Sequence, residues 1–195
     1  MTLRRRRLGM LLATCAAFGP ARRAAAAESL RLEELMARFA AIPERRASFR
    51  ETRTFAALDQ PLESTGTLLY RRPAYLEKDT DWPQRERLVV DGMRLTETLG
   101  DAPPRVLDLG SRPEVATLVE AIRGPLSGDL DALRRVFDVR LAGAWGDWTL
   151  DLLPRAEAAR LLRSVRLDGA GTVVRRFLLT QPNGDAQQML IAPAA

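Results

Sequence analysis

The chain has 195 residues, 30 of them basic and 25 acidic, with no histidine and one cysteine. Without imidazole there are no Ser-His-Asp triads, no histidine-held zinc and no histidine acid–base chemistry. With one thiol there is neither an internal disulfide nor a cysteine metal cluster, and no G-x-S-x-G, P-loop or G-x-G-x-x-G motif occurs. A binding protein is therefore expected rather than an enzyme, with no cofactor and no metal.

Residues 1–27 carry the features of an export signal. Arg4 to Arg7 supply a positive start, Leu8 to Ala17 an apolar stretch, and Ala24 to Ala27 several small-residue cleavage points. The apolar stretch is too short for a comfortable membrane span. Cleavage near Ala27 predicts a periplasmic domain over residues 28–195. It would remove six arginines (Arg4, Arg5, Arg6, Arg7, Arg22 and Arg23), leaving 24 basic against 25 acidic residues. A near-neutral domain argues against nucleic acid as a partner. The only cysteine, Cys15, falls inside the signal. An alternative reading takes Leu12-Ala13-Thr14-Cys15 as a lipidation site, although Thr14 fits poorly where such sites use Gly, Ala or Ser.

The first element of the domain is an amphipathic helix over Ser29 to Ala41. Its stripe is Leu32, Leu35, Met36 and Phe39, with Ser29 as cap and Pro43 as terminator. From Arg45 the period changes to two, and a strand is predicted over Arg46 to Phe55. After the Leu58-Asp59-Gln60-Pro61 turn, Leu62 to Arg71 forms the next strand, with Gly66, Leu68 and Tyr70 on one face. Tyr75 to Thr80 is a short strand ended by Trp82-Pro83. Arg85 to Val90 and Met93 to Thr98 flank the hairpin dipeptide Asp91-Gly92. Val106 to Leu109 forms a further short strand.

The pattern then turns helical. Pro113 to Arg123 is expected to end at Gly124, and Asp129 caps a second short helix running to Val136. Strands return at Phe137 to Ala142 and Trp148 to Leu153, followed by a short helix over Arg155 to Arg163. Ser164 to Leu167, Thr172 to Thr180 and Ala186 to Ile191 complete the chain, the last two joined at Pro182-Asn183-Gly184-Asp185. The fold class is α+β: one domain, a strongly curved antiparallel sheet of about eleven strands with helices packed on one face. Of the three tryptophans, Trp148 is assigned to the core and Trp82 to a partly exposed strand end. Glu77, Asp79 and Asp81 read as a solvated sheet edge rather than a cation site.

Four segments resemble the LolA-like family of periplasmic outer-membrane lipoprotein carriers. Ala47-Ser48-Phe49 opens the first strand as in that family. Gly66-Thr67-Leu68-Leu69-Tyr70-Arg71-Arg72-Pro73 is similar to its G-x-L-x-x-x-R-P strand. Val89-Val90-Asp91-Gly92 resembles its V-x-D-G, and Trp148 to Pro154 its apolar strand before a short helix. Two strands depart from the family: Tyr75-Leu76-Glu77-Lys78 and Arg94-Leu95-Thr96-Glu97-Thr98 are more polar than usual. The chain therefore resembles a divergent branch.

The resemblance implies a half-barrel whose concave face and helical lid enclose acyl chains. The implied lipid-binding residues are Phe49, Leu68, Tyr70, Val90, Leu95, Leu150, Leu152 and Phe177 on the sheet. Leu118, Val119 and Ile122 would face them from the lid. Arg72 matches the arginine that bonds lid backbone and holds the cavity shut, while Arg71 points the other way. The implied function is a monomeric carrier taking a lipoprotein or lipid from an inner-membrane donor to an outer-membrane acceptor. Two alternatives stand beside it: a receptor of the same fold anchored through Cys15, and a lipid-sensing protein-interaction module.

Overall fold

A computed structural model describes residues 30–194; the segment expected to be an export signal, Cys15 and the expected Ser29 cap lie outside them. Eleven strands form one antiparallel sheet: β1 (Glu44–Thr54), β2 (Leu62–Arg71), β3 (Tyr75–Trp82), β4 (Glu86–Asp91), β5 (Arg94–Leu99), β6 (Arg105–Asp108), β7 (Phe137–Ala144), β8 (Asp147–Pro154), β9 (Ser164–Ala170), β10 (Val173–Thr180) and β11 (Ala186–Pro193). Their spatial order is β6-β5-β4-β3-β2-β1-β11-β10-β9-β8-β7. The first and last strands pair in the middle, Phe49 opposite Ile191. The two meanders spread outward from that seam, leaving β6 and β7 as the ends of a curved, unclosed sheet.

The chain therefore stops at one end of the sheet and resumes at the other. The connection is α2 (Pro113–Ser127) and α3 (Leu130–Val136), which join α1 (Leu32–Ala40) on the concave side. The link between the meanders is thus also the cover of the half-barrel.

One half of the concave face is filled solidly. Leu35 and Phe39 of α1, Leu133 of α3, and Leu150, Leu152 and Val165 of the sheet are all fully buried in one cluster. Phe39 meets Trp148 edge-on at 5.7 Å between ring centroids. The indole Nε1 of Trp148 donates to the Gly171 carbonyl at 2.9 Å. Each such side chain contributes about 1.5–3 kcal/mol by leaving water. A smaller cluster of Val90, Leu109 and Val119 lies under α2.

Four local details differ from the sequence reading. α2 does not stop at Gly124 but runs through Pro125 to Ser127, ended by Gly128 in the left-handed region with φ 70°. Gly124 is needed for contact rather than termination: a Cβ there would lie 2.5 Å from Leu133 Cδ2, so α2 and α3 meet where it has no side chain. That packing outweighs the single helical hydrogen bond lost at Pro125. α1 begins at Leu32 with Arg31 at its cap and no side-chain cap bond. The expected helix at 155–163 is a short 3₁₀ turn, Ala156–Arg160. Finally, β3 is no edge, since it pairs with β2 and β4 on either side, and Glu77 is bound by Arg87 at 2.9 Å.

Candidate functional site: an apolar cavity beneath α2

The other half of the concave face is not filled. A cavity of about 500 Å³ lies between β1–β5, β9–β11 and α2. This is within the range of small-molecule sites, about 300–1,000 Å³. Leu68, Tyr70, Val90, Leu95 and Phe177 line it from the sheet, with Leu118, Val119 and Ile122 above them on α2. The alternation of β2 explains the first two: Leu68 and Tyr70 share the concave face, and Arg71, the next residue after Tyr70, points outward to Glu44 at 3.0 Å.

Phe49, Leu150 and Leu152 do not line the cavity. Leu150 and Leu152 lie in the half that α1 and α3 fill, at 0% exposure. Phe49 packs in the same cluster and is roofed by Lys78, whose ammonium sits 5.0 Å from its ring centroid. Strand alternation gave the correct face for all three. It could not say which half of that face the helices occupy.

Arg72 follows β2 and reaches over the helices. Its Nη1 donates to the Ala40 carbonyl at the end of α1 and to the Ser127 carbonyl at the end of α2, the latter at 3.3 Å. One guanidinium thus satisfies terminal carbonyls of two helices, where their dipoles favour a cation. Arg123 makes a second tie: Nη1 donates to Gly92 of the β4–β5 turn at 2.9 Å, and Nη2 pairs with Glu120 at 3.0 Å. α2 is therefore tied by polar contacts at its C-terminal end, through Arg72, and to the β4–β5 turn, through Arg123.

The sequence reading missed the charged residues inside. Arg45, Arg53 and Lys78 line the cavity, and Glu51 is buried beside it. Lys78 Nζ lies 2.6 Å from Glu51 Oε2, Arg53 is 3.3 Å from the same oxygen, and Ser64 and Gln187 also donate to this carboxylate. Burial pushes the Glu51 carboxyl up, but Lys78, Arg53 and Ser64 together hold it below the ordinary carboxylate value. Burial lowers the Lys78 ammonium, and Glu51 offsets this only in part. The signal was present: Arg45, Glu51 and Arg53 have the same parity on β1 as Ala47 and Phe49, the inward face.

The helices thus cover a half-barrel that holds a largely apolar cavity, and no helix of the described residues is long and apolar enough to cross a membrane. The sequence pattern of the family described as outer membrane lipoprotein carrier protein LolA-like matches residues 24–195, and the chain belongs to that family. A LolA superfamily protein from Nitrosomonas europaea is similar in structure at 9% identity and TM-score 0.46, over 84% of this chain and 92% of that one. A DUF1329 family protein from Desulfovibrio piger is similar at 9% identity and TM-score 0.45, over 83% and 88%. The Pseudomonas aeruginosa MucA/MucB complex includes a chain similar at 16% identity and TM-score 0.42, over 84% of this chain and 58% of that one. No curated protein sequence matches.

Proposed function

We propose that this protein is a periplasmic carrier. It takes up acyl chains of a lipoprotein or lipid in the cavity beneath α2 and carries them from an inner-membrane donor to an outer-membrane acceptor. The observation that carries this reading is the apolar, unfilled half of the concave face under a helix held by rim contacts. Burial is worth about 0.8 kcal/mol per methylene, so a long acyl chain represents on the order of 10 kcal/mol. A carrier must supply most of that and still give it up.

The rim contacts supply the means of release. They can form only when α2 is seated, so ligand binding competes with Arg72 and Arg123 for the position of the helix. Leu68, Tyr70, Val90, Leu95, Leu118, Ile122 and Phe177 would contact the chain, and Arg72 would favour the closed form. Export through residues 1–27 would place the protein where such cargo travels.

The test is transfer of a fluorescent acyl lipid between two vesicle populations, with a photoactivatable palmitoyl probe run in parallel. The protein should accelerate transfer, and the probe should label peptides containing Leu95, Leu118 or Phe177. Transfer at the protein-free rate, with labelling scattered over the surface, would contradict the proposal.

A further inference from the structure

The cations lining the cavity are not equivalent. Arg46 pairs with Glu44 at 2.9 Å, and Arg53 and Lys78 both pair with Glu51. Arg45 has no carboxylate partner among the described residues. Its Nη1 donates to the Thr172 carbonyl, and its guanidinium carbon stands 4.6 Å from the Phe39 ring centroid. Its Nε and Nη2 are buried without a partner. These two atoms lie on one edge of the guanidinium, the edge whose parallel N–H groups match the two oxygens of a carboxylate or phosphate.

Directly opposite Arg45 in the β1–β2 register is Tyr70. Tyr70 is 2% exposed, and its hydroxyl is also buried without a partner. Cross-strand partners have Cβ atoms about 4.5–5.5 Å apart. Both residues line the cavity. Burial raises the Tyr70 phenol above its ordinary value, so at neutral pH it is a donor. Three donors from two neighbouring side chains, one of them permanently cationic, are thus left unmatched in a chamber whose other charged side chains, Arg46, Arg53, Glu77 and Lys78, all have ion-pair partners.

We infer that Arg45 and Tyr70 hold the single acidic group, carboxylate or phosphate monoester, of a long-chain ligand whose tail fills the cavity. The inference rests on the carrier reading and narrows its cargo to amphiphiles that bring an anion inside with the chain. Neutral acyl chains would leave a buried charge and three donors unmatched, which selects against them. Lys78 cannot serve in the same way, because Glu51 already neutralises it.

The experiment compares palmitate, methyl palmitate and hexadecyl phosphate by calorimetric titration of the whole exported domain, each below its aggregation threshold. Hydrogen bonds to a charged group predict that an acid binds about tenfold tighter than the ester. A preference for palmitate over hexadecyl phosphate points to fatty-acid cargo, and the reverse to a phosphate headgroup; either supports the inference. Arg45→Met keeps the length and removes the buried charge, so it should bring acid and ester to equal affinity by weakening the acid and relieving the penalty on the ester. Tyr70→Phe removes one oxygen and should reduce the preference without abolishing it. Equal binding of acid and ester by the unaltered protein, or a preference that survives Arg45→Met, would overturn this inference while leaving the carrier reading intact. Failure of all three ligands to bind would overturn both.

Discussion

Arg72 and Ser127 are 55 residues apart, and their contact joins the end of β2 to the end of the helix that covers the sheet: Nη1 of the one lies 3.3 Å from the carbonyl oxygen of the other. The same nitrogen donates to Ala40, so both long helices end on one side chain. On the proposed carrier reading, a tie made only when α2 is seated would stabilise a closed form and oppose the ligand-bound one.

Arg72→Leu should therefore bind ligand but pass it on more slowly. An exposed guanidinium tie is worth about 1 kcal/mol after screening, so an acyl ligand should dissociate roughly fivefold more slowly. The check is the release rate of a fluorescent acyl ligand, with transfer to acceptor vesicles measured alongside. Unaltered or faster release would remove the role assigned to Arg72. Arg71→Leu, on the outer face, should leave both rates unchanged.

Leu95 and Leu150 both face the concave side, yet substitutions at the two should have opposite signatures. Leu150 is fully buried under α1, and Leu150→Ala should cost about 2–5 kcal/mol of stability. Leu95 lines open volume, so Leu95→Trp should cost at most about 1–3 kcal/mol, less than Leu150→Ala, while lowering ligand affinity at least several-fold. Denaturant unfolding and ligand titration on the two variants separate core from cavity.

The Glu51–Lys78 pair predicts a charge-dependent stability. The Glu51 side chain is 1% exposed and that of Lys78 14%. Glu51→Gln should destabilise by about 3–5 kcal/mol, because Lys78 is left buried without its counter-charge. Glu51→Gln with Lys78→Met should recover much of that loss. The folded carboxyl titrates below its ordinary value of 4.5, so below that value the unfolded chain binds the proton more readily. The contribution of Glu51 is accordingly present above about pH 4.5 and is lost as pH falls through the folded value. Unfolding curves between pH 3 and 6 should fall more steeply for the natural protein than for Glu51→Gln.

Gly128 and Gly100 both have positive φ, 70° and 55°, but only Gly128 is crowded. A Cβ at Gly128 would lie 2.2 Å from the Met36 carbonyl oxygen, while one at Gly100 meets nothing within 4 Å. Gly100→Ala should cost only the left-handed backbone strain, about 1–2 kcal/mol. Gly128→Ala should cost clearly more, because α1 and α2 must separate. The difference should appear in thermal unfolding as several degrees of Tm, at about 2–4 °C per kcal/mol.

Much of the architecture was legible because period and punctuation are local. Alternation in Gly66, Leu68 and Tyr70, the Asp91-Gly92 turn and the α1 stripe each follow from a few neighbouring residues. What escaped was set by contacts distant in sequence. α2 continues past Gly124 because Leu133 packs there. Phe49, Leu150 and Leu152 share a face with Leu68 and Leu95, but only the placement of α1 and α3 decides which are covered. Arg45 and Tyr70 acquire meaning as a pair only through the β1–β2 register, and Lys78 is explained only by Glu51, 27 residues earlier.

The central claim is that the cavity beneath α2 holds an acyl ligand. Native mass spectrometry of the protein purified from the periplasm, before and after organic extraction, tests it most directly. A bound cargo should give an added mass that leaves with the solvent and contains an acyl chain. A mass equal to the bare polypeptide, together with failure to take up added acylated ligands, would contradict it.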